Sequence, residues 1–430
     1  MADASGATAS APVPDPALTP APSLRRRTAP LLAVWVLTRT ALLLCVLKVV
    51  VVPGPDVTSD VSVIYQGWHD VLRTGAFPLD DVTWQYPPAA ALAILSPTAL
   101  PFLGYAAAFY VLCALCDALV LGLLAYAGAR PGRTWRGAWV WTAGVPLLGP
   151  TAYARYDLMA TAVAVAALLA GARRARTLGA LAGFGALLKL WPLLVLTGVP
   201  NGRAARRAWA AAALTAGGLA LAFLAAMPGS LAFLAFQSDR GTEIESLGAL
   251  AFHTARHFGW QGTTVFAYGS VEFVGPYVPL VSALALGLSA AALCWLALWR
   301  LRARTFGPST PCDAAFAAVL LFTTTSRVIS PQYMVWLVGT AAVCMAFRAS
   351  PMTLPAWLVL GATGVTLLEF PVWFDHVAAS DPLGLLLLAV RNGLLVAATL
   401  TACRRLWRRT TAPPGDGRAQ PARDRQSLAS

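Results

Sequence analysis

Three cations stand in short segments that are otherwise apolar or aromatic: Arg155 in Arg155-Tyr156-Asp157, Lys189 in Lys189-Leu190-Trp191-Pro192, and Arg327 in Ser326-Arg327-Val328-Ile329-Ser330-Pro331-Gln332-Tyr333. Arginine offers a bidentate fork to phosphate oxygens and lysine a compact point charge, so together they would bind an anion, with phosphate the natural candidate. A carboxylate-rich loop, Pro53 to Pro101, carries Asp56, Asp60, Asp70, Asp80 and Asp81 beside Tyr65, Trp68, Trp84, Gln85 and Tyr86, followed by the rigid Pro87-Pro88 step. Taken singly, each of these is explained as a solvated carboxylate or an interfacial aromatic anchor. Their density is what marks the loop. His253 and His257, four residues apart, would share a helix face, but no third metal ligand stands at matching spacing. Asp80 and Asp81 are explained by a polar turn after Pro78.

The elements that must hold these residues are membrane helices. In 430 residues, 58% are apolar and 12% charged, with a mean hydropathy of +0.65, a balance that a water-soluble chain does not carry. At roughly 20 residues per crossing, about 12 spans fit. They fall near 31–52, 103–127, 138–150, 158–172, 178–188, 190–199, 208–227, 278–299, 312–326, 331–347, 353–368 and 383–403. The expected fold is an all-α polytopic membrane protein. Most of the 32 basic residues lie in alternate gaps, including Arg130/Arg133/Arg136, Arg203/Arg206/Arg207 and Arg404/Arg405/Arg408/Arg409. That asymmetry assigns those gaps, and both termini, to the cytoplasm, and it explains the +13 net charge without nucleic acid.

Residues 178–200 have arginine clusters at both ends and so read as a hairpin of two short helices, broken at Lys189-Leu190-Trp191-Pro192, where proline disfavours helix before it. Non-helical backbone at that depth must face protein or a water-filled cavity, which implies a vestibule on the outer side. Arg155, Lys189 and Arg327 all fall on that side, against the general distribution of positive charge. The second outer segment, 228–277, alternates apolar patches with Asp239, Arg240, Glu243 and Glu245 and suggests helices lying on the membrane surface. Inside the spans, Arg39 and Asp117 both fall roughly 12 to 15 Å from the cytoplasmic end and are expected to pair. Lys48 is expected to snorkel, and Arg391 has no evident partner in the sequence. The seven cysteines show neither metal spacing nor a disulfide framework.

The run Ser59-Asp60-Val61-Ser62-Val63-Ile64-Tyr65, then Gly75-Ala76-Phe77-Pro78 and Trp84-Gln85-Tyr86-Pro87-Pro88, resembles the first outer loop of glycosyltransferase family 87. Arg155-Tyr156-Asp157, Lys189-Leu190-Trp191-Pro192 and Ser330-Pro331-Gln332-Tyr333 resemble its other recurrent stretches, in the same order, so that the likeness covers residues 30–405. The resemblance implies a GT-C-like transmembrane domain over 30–405, with outer loops 53–101 and 228–277, between disordered cytoplasmic tails at 1–29 and 406–430. It implies inverting transfer of a sugar, mannose or arabinofuranose, from a polyprenyl-phosphate donor to a lipid or glycan hydroxyl at the outer face. It implies that no metal or other cofactor takes part. The catalytic carboxylate of the family matches Asp60, with Asp56 in reserve outside the matched run. Tyr65, Tyr86, Asp157 and Gln332 lie in the resembling stretches as supporting residues. Elementary chemistry agrees: displacement at an anomeric carbon needs a base for the acceptor proton and cations for the departing phosphate. A transporter or lipid-headgroup flippase, with Arg39, Asp117 and Arg391 lining a path, is the rival reading, and a non-catalytic scaffold a weaker one.

Overall fold

The computed structural model describes residues 24–412 other than 80, 172–173 and 239. Asp80, Asp239 and Arg173, and the expected tails over 1–23 and 413–430, therefore lie outside the described residues. Eleven principal helices build the bundle: α1 Leu24–Val46, α2 Tyr105–Gly128, α3 Arg136–Leu147, α4 Asp157–Gly171, α5 Ala175–Leu188, α6 Arg203–Ala226, α7 Val278–Arg302, α8 Thr310–Thr325, α9 Tyr333–Met345, α10 Thr353–Leu367 and α11 Pro382–Thr411. Two boundaries move. Helix α1 already includes residues 24–29, and α11 carries its last turns through 406–411, where a tail was expected.

Among the described residues, six helical segments are long and apolar enough to cross a membrane: Thr28–Val46, Tyr105–Gly128, Arg203–Ala226, Val278–Arg302, Thr353–Val372 and Pro382–Thr411. Five shorter apolar helices accompany them among the described residues: Ala90–Ala99, Asp157–Gly171, Ala175–Leu188, Thr310–Thr325 and Tyr333–Met345. The remaining expected spans are shorter, and the reason is visible in their burial. Along α9, every residue from Met334 to Met345 is buried, and α8 is buried along most of its length. By contrast, α6 and α7 leave Leu214, Leu221, Leu280, Leu284 and Leu301 exposed. Short helices form the interior, and long ones turn apolar faces outward, as a protein solvated by lipid requires.

Small residues set the close packing. Gly179 and Gly183 of α5 meet the backbone of α6, and a Cβ at either would fall 2.0 Å from the Ala208 carbonyl oxygen or 2.4 Å from that of Ala212. This is the small-xxx-small contact by which membrane helices approach. Charge does the rest. Asp117 of α2 accepts from Arg39 Nε at 2.8 Å, Trp35 Nε1 at 3.0 Å, Trp141 Nε1 at 2.7 Å and Tyr153 Oη at 2.9 Å, and Arg39 also donates to the Thr142 carbonyl at 2.6 Å. The expected pair forms and ties α1, α2 and α3 together. A lone charge there would cost several kcal/mol.

Another charge departs from expectation. Arg391 is fully buried in α11 and has a partner: its Nε donates to Glu369 Oε2 at 3.0 Å, and Nη2 reaches the other Glu369 oxygen and the Glu245 carbonyl. Lys48 lies past the end of α1, with φ 60°, and its exposed ammonium pairs with Asp56 at 2.7 Å.

The segment 228–277 is also corrected: it is not helices alone. It contains the short helix Ala249–Arg256 and a three-stranded antiparallel sheet, β1 Thr242–Glu243, β2 Thr263–Ala267 and β3 Ser270–Val274, in the order β1-β3-β2. The β-branched and aromatic run Thr263-Thr264-Val265-Phe266 favours strand, and Tyr268 and Gly269, both with positive φ, close a two-residue hairpin. This sheet and the loop 53–101 lie at one end of the bundle, where both line the same hollow.

Candidate active site

The first loop turns into a wide helical turn, Asp60–Tyr65, that leads directly into the helix Gln66–Arg73. Asp56 shapes its approach. Its carboxylate accepts from the Thr58 amide at 2.9 Å and the Thr58 hydroxyl at 2.6 Å, and also from Lys48. Burial disfavours the ionised form, but these bonds outweigh it and hold the Asp56 carboxyl below its usual range. Asp56 lines a separate hollow of about 280 Å³ with Gly54, Pro150 and Pro371. Asp60 instead faces the larger hollow, about 320 Å³, between the two long loops.

Asp60 Oδ2 meets Arg155 Nη2 at 2.7 Å, and the Asp60 side chain keeps 29% of its surface open. Arg155 is pinned by its other nitrogen, which donates to the Val57 carbonyl at 3.0 Å and the Ala154 carbonyl at 2.8 Å. It therefore stands behind the first loop and is not among the residues that line the hollow. The sequence grouped Arg155 with the other cations by topology alone. Its short turn between α3 and α4 brings it to the carboxylate.

Lys189 sits where α5 stops. Its backbone is extended (φ −159°, ψ 134°), and Pro192 then begins a short 3-10 turn, Trp191–Leu196. The expected break thus falls at the expected step, although its second arm is this 3-10 turn instead of a second α-helix. Extended backbone at 189 carries the ammonium to Asp157 Oδ1, 2.6 Å away, at the start of α4. Trp336 Nε1 donates to the same oxygen at 2.7 Å, while Asp157 Oδ2 is buried with no hydrogen-bond partner among the described residues. The ammonium lies 5.1 to 5.5 Å from the rings of Tyr86, Tyr156, Tyr333 and Trp336, within range of cation–π attraction.

Aromatic packing fixes that wall. Tyr333 stacks on Trp336 at 3.9 Å and Trp336 on Trp191 at 5.4 Å, while Tyr65 packs against Trp68 and Tyr156. The Tyr65 hydroxyl is buried with no hydrogen-bond partner among the described residues, and Gln332, the residue before α9, lines the hollow beside Tyr333. Burial, reinforced by Asp157 and Asp60, pushes the Tyr86 hydroxyl far above its ordinary pKa, so it remains a neutral donor.

Arg327 lines the far side and donates to Ser282 Oγ at 3.3 Å. Its own segment is fixed by Glu243 of β1, whose amide donates to the Arg327 carbonyl at 3.1 Å. The Glu243 carboxylate accepts from the Ile329 amide at 2.5 Å and the Ser330 hydroxyl at 3.1 Å. Burial raises the Glu243 carboxyl, against the pull of Arg240 and these bonds.

One cation in the hollow was not assigned from the sequence: Arg240. Its Nε donates to Glu272 Oε1 at 3.2 Å and its Nη2 to Ser270 Oγ at 2.5 Å, which ties it to the hairpin tip. The only signal was a positive residue on the acidic side, the same signal that singled out Arg327. Three of the histidines lie where the segment 228–277, which caps this end of the bundle, meets the turn before α11. His253 engages Ser380 Oγ at 2.7 Å and the Ile244 carbonyl at 2.8 Å, and His257 reaches the Ser380 carbonyl at 2.8 Å. His376 pairs with Asp381.

A lipid-facing helical bundle with a charged, aromatic-walled hollow at one end belongs to the class of membrane proteins that handle a polar ligand at the bilayer surface. The model for glycosyltransferase family 87 matches residues 84–331, more than half the chain, and the protein belongs to that family. It is a multi-pass membrane glycosyltransferase, acting between a sugar donor and an acceptor, and the transporter reading gives way to that. The matched stretch contains Arg155, Lys189, Arg240 and Arg327 and begins after Asp60. No curated protein and no solved structure matches the chain.

Proposed function

We propose that the protein transfers a sugar, mannose or arabinofuranose, with inversion from a polyprenyl-phosphate donor to a hydroxyl of a lipid or glycan on the extracytoplasmic side of the cell membrane. The acceptor oxygen attacks the anomeric carbon from the Asp60 side, and Asp60 takes its proton as the new bond forms. The bond from the anomeric carbon to the phosphate oxygen breaks, and its electron pair leaves with polyprenyl phosphate. Lys189, Arg327 and Arg240 face that growing charge across the hollow. Arg155 holds the Asp60 carboxylate in one orientation and does not itself meet the donor. Tyr65, Tyr86 and Gln332 shape the sugar pocket, and Asp157 anchors Lys189.

One observation carries this reading: a single hollow joins the Asp60 carboxylate to three cations and opens over an apolar rim, where Leu190 and Leu234 are 61% and 60% exposed. A soluble nucleotide sugar has no use for such a rim. A lipid tail would lie along it while the headgroup enters. The test is transfer of radiolabel by purified protein in lipid vesicles, offered polyprenyl-phosphate mannose, polyprenyl-phosphate arabinofuranose or a nucleotide sugar. Label moved only from the nucleotide sugar would overturn the donor assignment.

A further inference from the structure

The end of the bundle opposite the active site holds another hollow, of about 420 Å³, lined by Leu354, Leu400, Thr401, Arg404, Arg405 and Arg408. It lies between the start of α10 and the last turns of α11. We propose that it binds the headgroup of an anionic phospholipid from the surrounding bilayer, a role independent of the transfer reaction.

The argument begins with which arginines are already engaged. Arg405 donates to the Pro351 carbonyl and Arg409 to the Ala349 carbonyl, so these two fasten the loop that leads into α10. Arg404 and Arg408, exposed and one helical turn apart, have no partner among the described residues and face the same hollow. Two guanidiniums converging on one space, with no carboxylate lining it among the described residues, leave a site for an anion.

Depth distinguishes a lipid from a free ion. From the Asp381 cap of α11 to Arg404 the helix rises roughly 34 Å, against a hydrocarbon core of about 30 Å, which sets Arg404 at the level of lipid phosphates. One turn deeper stand Leu400, 65% exposed, and Leu354, with Trp357 exposed on the next turn of α10. The order along the hollow, apolar below, hydroxyl at Thr401, then guanidinium, matches a phospholipid from acyl chain to phosphate.

Native mass spectrometry of the full-length protein, titrated with phosphatidylglycerol and separately with phosphatidylcholine, tests this. The Arg404→Ala/Arg408→Ala variant should lose phosphatidylglycerol affinity roughly 30-fold, the equivalent of about 2 kcal/mol at about 1 kcal/mol per basic residue. An Arg206→Ala/Arg207→Ala variant, with the same charge removed from α6, should keep it. Equal loss in both variants, or loss in neither, overturns the proposal, as does displacement of the lipid by inorganic phosphate at matched ionic strength. In the unmodified protein, phosphatidylglycerol carrying a photoreactive acyl chain should label peptides containing Leu354 or Leu400. Labelling confined to other peptides would overturn the proposal even if the variants failed to fold.

Discussion

Asp60 and Arg155, 95 residues apart in sequence, meet at 2.7 Å, and the arginine holds the carboxylate from behind while the front remains open to the hollow. The ion pair fixes which carboxylate oxygen is turned toward Arg155 and which edge of the side chain faces the hollow.

Replacing Asp60 with Asn keeps the side-chain shape and still accepts from Arg155, but it cannot take a proton. Transfer should fall roughly 10²- to 10⁴-fold, the usual worth of a positioned base, with expression and melting temperature unchanged. Rates within twofold of the wild type would remove Asp60 from the mechanism.

Arg327→Ala and Arg240→Ala each remove a cation from the hollow without touching Asp60. A charged hydrogen bond is worth roughly 1.5 to 3 kcal/mol, so kcat/KM for the donor should drop about 10- to 100-fold while the acceptor KM stays near its original value. Steady-state kinetics with each substrate varied in turn separate the two. A defect confined to the acceptor would contradict the phosphate assignment.

His253 is fully buried in the cap, and burial lowers its pKa to about 4. In the unfolded chain it would take up a proton near its ordinary value of about 6.5. The neutral ring thus contributes stability that is intact above pH 6.5 and declines as the pH falls toward 4, by up to about 3 kcal/mol. Hydrogen exchange of the helix Ala249–Arg256 should accelerate between pH 7 and pH 5 after correction for intrinsic rates, and His253→Gln should flatten that dependence. Identical pH profiles for the two proteins would refute the assignment.

Gly179→Ala should destabilise the α5–α6 contact by about 1 to 3 kcal/mol, because the new methyl meets backbone that cannot rotate away. Gly217→Ala, on α6 where an added Cβ has nothing within 4 Å, is the control. Thermal melts in detergent should separate the two variants, and equal melting points would mean that the helices do not approach as described.

The membrane class, the positions of the helices, the Arg39–Asp117 pair and the break at Lys189 were legible in the sequence because each follows from a local cost: apolar length, an unpaired charge or a proline. Family membership was legible from the order of several short motifs. The small sheet was not, since Thr263–Ala267 and Ser270–Val274 are too short to outweigh a helical reading until they pair. Nor was the Glu369 partner of Arg391, because Glu369 is carried to it by an irregular turn between α10 and the helix Phe374–Ala379 that no spacing rule anticipates. Arg240 shows the same limit. Its charge could be read, but the hairpin that presents it could not.

Helix α11 is unbroken from Pro382 to Thr411, so Arg391 under the cap and Arg404 at the far surface are points on one lever roughly 20 Å apart. A tilt of 10° about their midpoint would displace each by about 2 Å in opposite directions. A change of tilt imposed at the Arg404 end, where interfacial anchors help to set it, would therefore reach the contacts of Arg391 with Glu369 and the Glu245 carbonyl.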